Sequence, residues 1–211
     1  MIFEHSKKIF QYEQEQDVNF TKEEKKEQIM QVAFETIKKY GIKRVTLEDI
    51  AHASGMAKTS IYYYFPSKNA LITATITHFS NTILDQIDLV VKSKQSPEQK
   101  LISSWKIIFS NIKESGYLLN MDNNTMTQMV SLARDLINKF QEEYQKLTRK
   151  ILLEGKKAGV FQVDNIDLWA LFLSVGLLGI IENENTQEQI IKDDKIVEKV
   201  SKLLLNGLLT R

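Results

Sequence analysis

Apolar residues recur along the chain every three or four positions, in stripes separated by polar turns, and this spacing places each stripe on one face of an α-helix. Ile29, Val32, Ala33, Ile37 and Tyr40 form the first stripe, with Thr21 and Glu24 at capping-box spacing before it and Gly41 after it. Thr46 and Asp49 open a second helix in "TLEDIAHAS", where Leu47, Ile50 and Ala51 share a face and Gly55 ends the run. A third, short helix holds Tyr62, Tyr63 and Tyr64. Pro66 and Ser67 open a fourth, striped by Ile72, Ile76, Phe79, Ile83, Ile87 and Val90.

The remainder keeps the same period. Ser96, Pro97 and Gln99 supply a cap, an N1 proline and a capping-box partner ahead of Ile102, Trp105, Phe109 and Ile112. Beyond "ESGYLLNMDNNT" comes the stripe Met126, Met129, Val130, Ala133, Ile137, Phe140, Tyr144, Leu147 and Ile151, one helix or two, ended by Gly155 or Gly159. Asp164 is expected to cap the apolar run Leu168 to Ile181, and Ile196, Val200, Leu203, Leu204 and Leu208 mark a last helix. Residues 1–20 show no sustained period and read as a flexible arm or an extra helical turn. No segment alternates as a strand does, and no internal repeat is visible, so the expected fold is all-α.

The stretch "SGMAKTSIYYYFPSK" is too aromatic for a solvated loop and too polar for a core. Two short helices around a glycine turn have the length of a helix-turn-helix. Met56, Ile61 and Phe65 can face inward, which leaves Lys58, Thr59, Tyr62 and Tyr63 outside. Successive helical residues lie about 100° apart, so three adjacent tyrosines cannot all face one core. Hydroxyls and phenols can donate to phosphate oxygens while a lysine neutralises charge, the chemistry that suits a major groove. The chain as a whole has a net charge of only +1, but between Lys38 and Lys68 six basic residues stand against Glu48 and Asp49. That local excess is the kind that faces phosphates.

Residues 29–71, through Ala33-Phe34, Gly41, "TLEDIA", "SGMAKTSIYYYFPSK" and Leu71, resemble the DNA-binding domain of the TetR family of bacterial transcription regulators. The resemblance implies a homodimer with an N-terminal three-helix helix-turn-helix domain over residues 21–66 and a larger helical effector-binding and dimerisation domain over residues 67–211. It implies that Thr46 contacts phosphate, that Lys58 opens the recognition helix, that Tyr62 and Tyr63 reach phosphates and bases, and that Lys68 grips the backbone at the start of the fourth helix. Tyr64 stands where the family has histidine or tyrosine, and Ser60 is counted with the DNA-binding candidates. Three positions depart from the pattern: Ala57 replaces a serine cap, Val45 a threonine, and Thr59 a glycine, which implies a different sequence preference.

Beyond residue 71 the resemblance is one of architecture. Ala170, Ser174, Gly176 and Gly179 would let two helices approach closely and, with residues 194–209 and their dimer mates, form a four-helix bundle. An effector cavity would be lined by candidates among His78, Phe79, Trp105, Phe109, Met126, Met129, Phe140, Tyr144, Trp169 and Phe172. Such a lining points to an apolar or amphipathic small molecule. There are no cysteines, so disulfides and thiolate chemistry are excluded, and a reducing cytoplasm is the expected setting. His5, His52 and His78 show no metal-ligand spacing, no phosphate loop or nucleophile motif occurs, and neither a metal, a cofactor nor an enzymatic reaction is expected. The longest apolar run is shorter than the roughly 20 residues that span a bilayer, so no membrane partner is expected. The expected function is a repressor that binds a palindromic double-stranded DNA operator as a homodimer and is released by a small-molecule effector. The alternative is a ligand-independent, DNA-bound interaction protein of the same fold.

Overall fold

The computed structural model describes residues 20–115, 123–182 and 195–209. These residues form eight α-helices: α1 (Lys22–Tyr40), α2 (Leu47–Ala53), α3 (Lys58–Tyr64), α4 (Lys68–Lys92), α5 (Pro97–Ser115), α6 (Asn123–Lys157), α7 (Ile166–Glu182) and α8 (Ile196–Leu208). The fold is all-α; the described residues hold no strand beyond one isolated antiparallel bridge between Phe161 and Leu209.

Local chemistry sets most of these boundaries. Thr21 accepts from the Glu24 N–H at 3.2 Å while the Glu24 carboxylate accepts from the Thr21 N–H at 2.7 Å, closing a capping box on α1. Ser96 and Gln99 exchange the same pair of bonds at 3.3 and 3.4 Å ahead of α5. Ser67 caps α4 by accepting from the Ala70 N–H at 3.1 Å. Gly41 ends α1 at φ 78°, where a side chain would strain the backbone. The long stripe before Gly155 is one helix of 35 residues, and the chain leaves it through Gly159 at φ 70°. One expected cap is corrected: Asn165, not Asp164, caps α7. With Ile166 as the first helical residue, the Asn165 side chain is the one placed to accept from the Leu168 N–H, at 3.0 Å.

Two apolar cores result. Ile29, Ala33 and Ile37 of α1, Leu47, Ile50 and Ala51 of α2, Ile61 of α3, Phe65, and Leu71 and Ile72 of α4 close the first. The second gathers Ile87 of α4, Leu101, Trp105, Ile108 and Phe109 of α5, Tyr144, Ile151 and Leu152 of α6, Phe161, Ala170 and Leu173, and Leu208 of α8. Each fully buried Leu or Ile contributes about 1.5–3 kcal/mol relative to exposure, so neither core is marginal. Helix α4 belongs to both, through Leu71 and Ile72 at one end and Ile87 at the other. Between them the rings of Phe34 and Phe79 stack at 4.0 Å. Across the second core the buried Lys100 ammonium donates to both Glu154 oxygens, at 2.7 and 2.9 Å, fixing the start of α5 to the end of α6.

Close packing is tightest where the chain turns out of α6. A Cβ on Gly155 would stand 2.1 Å from the Phe161 ring, and Phe161 is held there by its bridge to Leu209 and by the Gln162 N–H donating to the Leu208 carbonyl at 2.8 Å. Gly155→Ala is therefore expected to destabilise the protein by about 1–3 kcal/mol through overpacking. Urea denaturation should show this loss, and Phe161→Leu in the same chain should recover part of it. An additive double variant would show that the two sites do not press on each other.

Candidate nucleic-acid interface

The exposed face of the first core is built on α2, a glycine turn and α3. Thr46 closes a third capping box: its hydroxyl accepts from the Asp49 N–H at 3.1 Å and donates to the Asp49 carboxylate at 2.7 Å, which also accepts from the Thr46 N–H at 2.8 Å. After Ser54, Gly55 at φ 64° redirects the chain, and the Met56 N–H returns to the Ala51 carbonyl at 2.9 Å. Helix α3 then runs for seven residues from Ala57, whose side chain supplies no cap. What places this helix is burial: Ile61 is fully buried and Phe65 is 5% exposed, with Met56 packed beside them.

With Ile61 facing inward, the turn of the helix sets its neighbours. Tyr62 is 45% and Tyr63 69% exposed, whereas Tyr64 packs on the first core with its ring edge-on to Tyr63 at 5.1 Å. Lys58 and Thr59 are exposed and Ser60 is half-buried. Both outward phenols carry a cation: Lys58 Nζ lies 5.8 Å from the Tyr62 ring centre, and Lys22 Nζ, at the start of α1, lies 5.0 Å from that of Tyr63. Lys22 is 41 positions from Tyr63, a separation at which no local pattern could have flagged it.

The polar candidates are already engaged within the chain. Lys58 forms an ion pair with Glu48 of α2; this bond holds the Glu48 carboxyl below the usual range and raises the Lys58 ammonium above its own. Lys68 is half-buried and donates to the Lys43 carbonyl at 3.2 Å, and burial lowers its pKa against the pull of Asp49. Thr46, Glu48, Tyr62, Ser67, Lys68 and Lys43 line a shallow surface groove of about 390 Å³ between the starts of α2 and α4. Val45, Leu47 and Pro66 complete its walls, and Glu48 is the single carboxylate among them. Sequence reasoning counted Glu48 only as local negative charge; its partner is ten residues away across the turn.

The effector candidates divide. Trp105, Phe109 and Tyr144 are buried in the second core, with Phe140 and Trp169 packed against it and the Phe140 and Tyr144 rings parallel at 6.3 Å. Burial pushes the Tyr144 phenol up to about 12, opposed by Thr148 and Trp105 beside it, so it is a neutral group at physiological pH. Phe79 lies on Phe34 between the two cores, and His78 sits edge-on to Phe79 at 5.4 Å, so neither joins that cluster. Phe172 is 57% exposed on the outer side of α7. The side chains of Met126 and Met129 lie outside the described residues.

Residues 29–75 match the family model for bacterial regulatory proteins of the tetR family, a span that runs from α1 into α4. The HTH-type transcriptional repressor KstR2 of Mycolicibacterium smegmatis is 23% identical over 151 residues, 71% of this chain and 74% of that protein. The HTH-type transcriptional regulator YvdT of Bacillus subtilis is 41% identical over 63 residues, which is 30% of this chain and 32% of its own length. Among solved structures, the fatty acid degradation regulator FadR from Bacillus halodurans is 26% identical and aligns over 89% of this chain and 97% of its own, with a TM-score of 0.69. These relatives are regulators of transcription rather than enzymes.

The capping box at Thr46 carries a pH signature. Hydrogen bonds from the Thr46 hydroxyl, then from its backbone N–H, hold the Asp49 carboxyl below its ordinary value. A depressed folded-state pKa means the stabilisation is complete above the unfolded value of about 3.9 and is lost as pH falls through the folded value. Melting followed by circular dichroism should therefore show stability dropping below about pH 4, and Asp49→Asn should flatten part of that drop. Thr46→Ala should flatten it too, while costing about 1 kcal/mol at neutral pH through loss of the cap.

Proposed function

Since the chain belongs to the TetR family of bacterial regulatory proteins, we propose that it is a ligand-responsive repressor, binding a palindromic operator as a homodimer and leaving it when an apolar or amphipathic small molecule occupies the helical C-terminal domain. The observation that carries the DNA half is the outward pair Tyr62 and Tyr63 on a helix fixed by Ile61, beside a groove of lysines and hydroxyls. In this reading the domains divide near Pro66, Thr46, Ser67 and Lys68 meet phosphates, Thr59 and Tyr63 meet base edges, and Lys58, Ser60 and Tyr62 complete the contact. Tyr64 braces the helix from behind.

The dimer half rests on α7. Leu168, Leu171, Phe172 and Val175 are between 42% and 60% exposed, and Leu203 of α8 is 74% exposed. A Cβ at Gly176 or Gly179 would meet no atom within 4 Å. An apolar face of this extent, with open space at its glycines, is what a second copy of the same helices can cover. For the effector half, the aromatic lining of the second core and the likeness to a regulator of fatty acid degradation favour an apolar body with a polar end. Helix α4 would be the link, because it is packed into both cores. A ligand that displaces it changes the distance between two recognition helices, which must be about 34–36 Å or a multiple for both half-sites to be read. Linked sites are typically coupled by about 1–3 kcal/mol, enough for release. The tight packing of Trp105, Phe109 and Tyr144 favours the second reading, a ligand-independent DNA-bound interaction protein. Thermal shift and DNA release against a panel of medium- and long-chain fatty acids separate the two: stabilisation with release supports the repressor, and no response supports the alternative.

The DNA reading is tested by selecting binding sites from a random duplex pool at fixed salt. Thr59→Ala should change the preferred half-site, at about 1–3 kcal/mol per lost base contact, and Tyr63→Phe should weaken binding. Unchanged affinity and preference in both would overturn it. Phe172→Asp is expected to convert the dimer to a monomer in sedimentation velocity, since a carboxylate in an apolar contact is left without a partner.

A further inference from the structure

We propose that Glu48 is an intramolecular phosphate mimic that occupies Lys58 in the absence of DNA and thereby lowers affinity for duplex of any sequence. The inference rests on the DNA-binding reading and goes beyond it, because it assigns a role to an acidic residue on the face that meets a polyanion.

Two features of the structure converge on this residue. Glu48 pairs with Lys58, the first residue of α3, and Lys58 lies at the same time over the Tyr62 ring, so the cation is drawn across the turn towards α2. Glu48 also lines the groove it shares with Thr46, Ser67, Lys68 and Lys43, where it is the only carboxylate. A phosphate entering that groove meets a fixed negative charge, and Lys58 can serve a phosphate only after giving up its carboxylate. Asp49, the other acid on α2, is bound back into the Thr46 capping box and serves the helix start. Glu48 has no comparable backbone duty: its strongest partner is Lys58.

The physical consequence is a cost carried by every duplex. Sequence-independent affinity comes almost wholly from the number of phosphates neutralised, with a salt slope of about 0.9 per contact. Withholding one lysine per protomer therefore weakens binding to any duplex. Breaking the exposed ion pair, itself worth about 0–1 kcal/mol, is a cost that an operator and a random sequence both bear. Glu48 thus keeps the resting attraction of this face for duplex low.

The experiment measures binding of a labelled random-sequence duplex and of a duplex enriched from a random pool by the wild type, across a series of salt concentrations. Glu48→Gln should steepen the salt slope on the random duplex by about 0.9 per protomer and raise its affinity severalfold at low salt. The affinity for the enriched duplex should rise by a similar factor. Glu143→Gln, which removes the same charge from the exposed Lys146 pair on α6, should leave both curves unchanged. In a Lys58→Ala chain most of the gain from Glu48→Gln should be lost, the remainder being relief of repulsion between the carboxylate and phosphate. A Glu48→Gln protein that melts like wild type and binds the random duplex no more tightly would overturn the proposal, as would a gain of the same size without Lys58. Failure of the wild type to bind either duplex would instead remove the DNA-binding reading itself, so the two failures are distinguishable.

Discussion

Burial of Ile61 is the contact on which the outward presentation of Tyr62 and Tyr63 depends. A helix of seven residues without a side-chain cap cannot persist in water, because the cost of its first turn is recovered only over a dozen residues or more. Helix α3 exists because Ile61 and Phe65 are buried in the core that also holds Ile29, Ala33, Ile50 and Leu71. The same insertion sets the rotation of the helix about its axis. Given the rotation, the chain has no freedom to bury Tyr62 and Tyr63. Exposure of two phenols is therefore an enforced consequence of the core, not a local preference of tyrosine.

The second dependency runs through α4. A helix of 25 residues spans nearly 40 Å at about 1.5 Å per residue and is stiff over that length. Leu71 and Ile72 bind it to the reader while Ile87 binds it to the larger core, so movement at one end is felt at the other. The Phe34 and Phe79 stack lies between these anchors, on the contact of α1 with α4. Along the helix Thr75, Thr77 and Thr82 donate to carbonyls four residues back, bonds that compete with the helical ladder and favour bending.

The elements were legible where short-range chemistry fixes them. Thr21 with Glu24, Thr46 with Asp49 and Ser96 with Gln99 announce helix starts, because both partners of each capping box lie within one turn. The division of the three tyrosines followed from helical geometry alone. What could not be read were choices made at long range. Phe79 belongs to the same stripe as Ile83 and Ile87, yet its partner is Phe34, 45 positions earlier. Phe172 lies in a run apolar on every side, where periodicity identifies no inner face, and the structure turns it outward. Asn165 and Asp164 are both good caps, and only the packing of α7 decides which one is used.

Electrostatics on the DNA face follow a related logic. Thr46 is bound to Asp49, Lys58 to Glu48, and Lys68 to the carbonyl of Lys43, so three of the polar groups expected to meet DNA have partners in its absence. A chain of net charge +1 does not attract duplex strongly as a whole, and the Lys58–Glu48 pair lowers the pull of the basic stretch from Lys38 to Lys68 further. In the proposed DNA-binding reading, contact with duplex is an exchange in which phosphates replace carboxylates and a carbonyl, and the net affinity is the difference between the bonds formed and the internal bonds released.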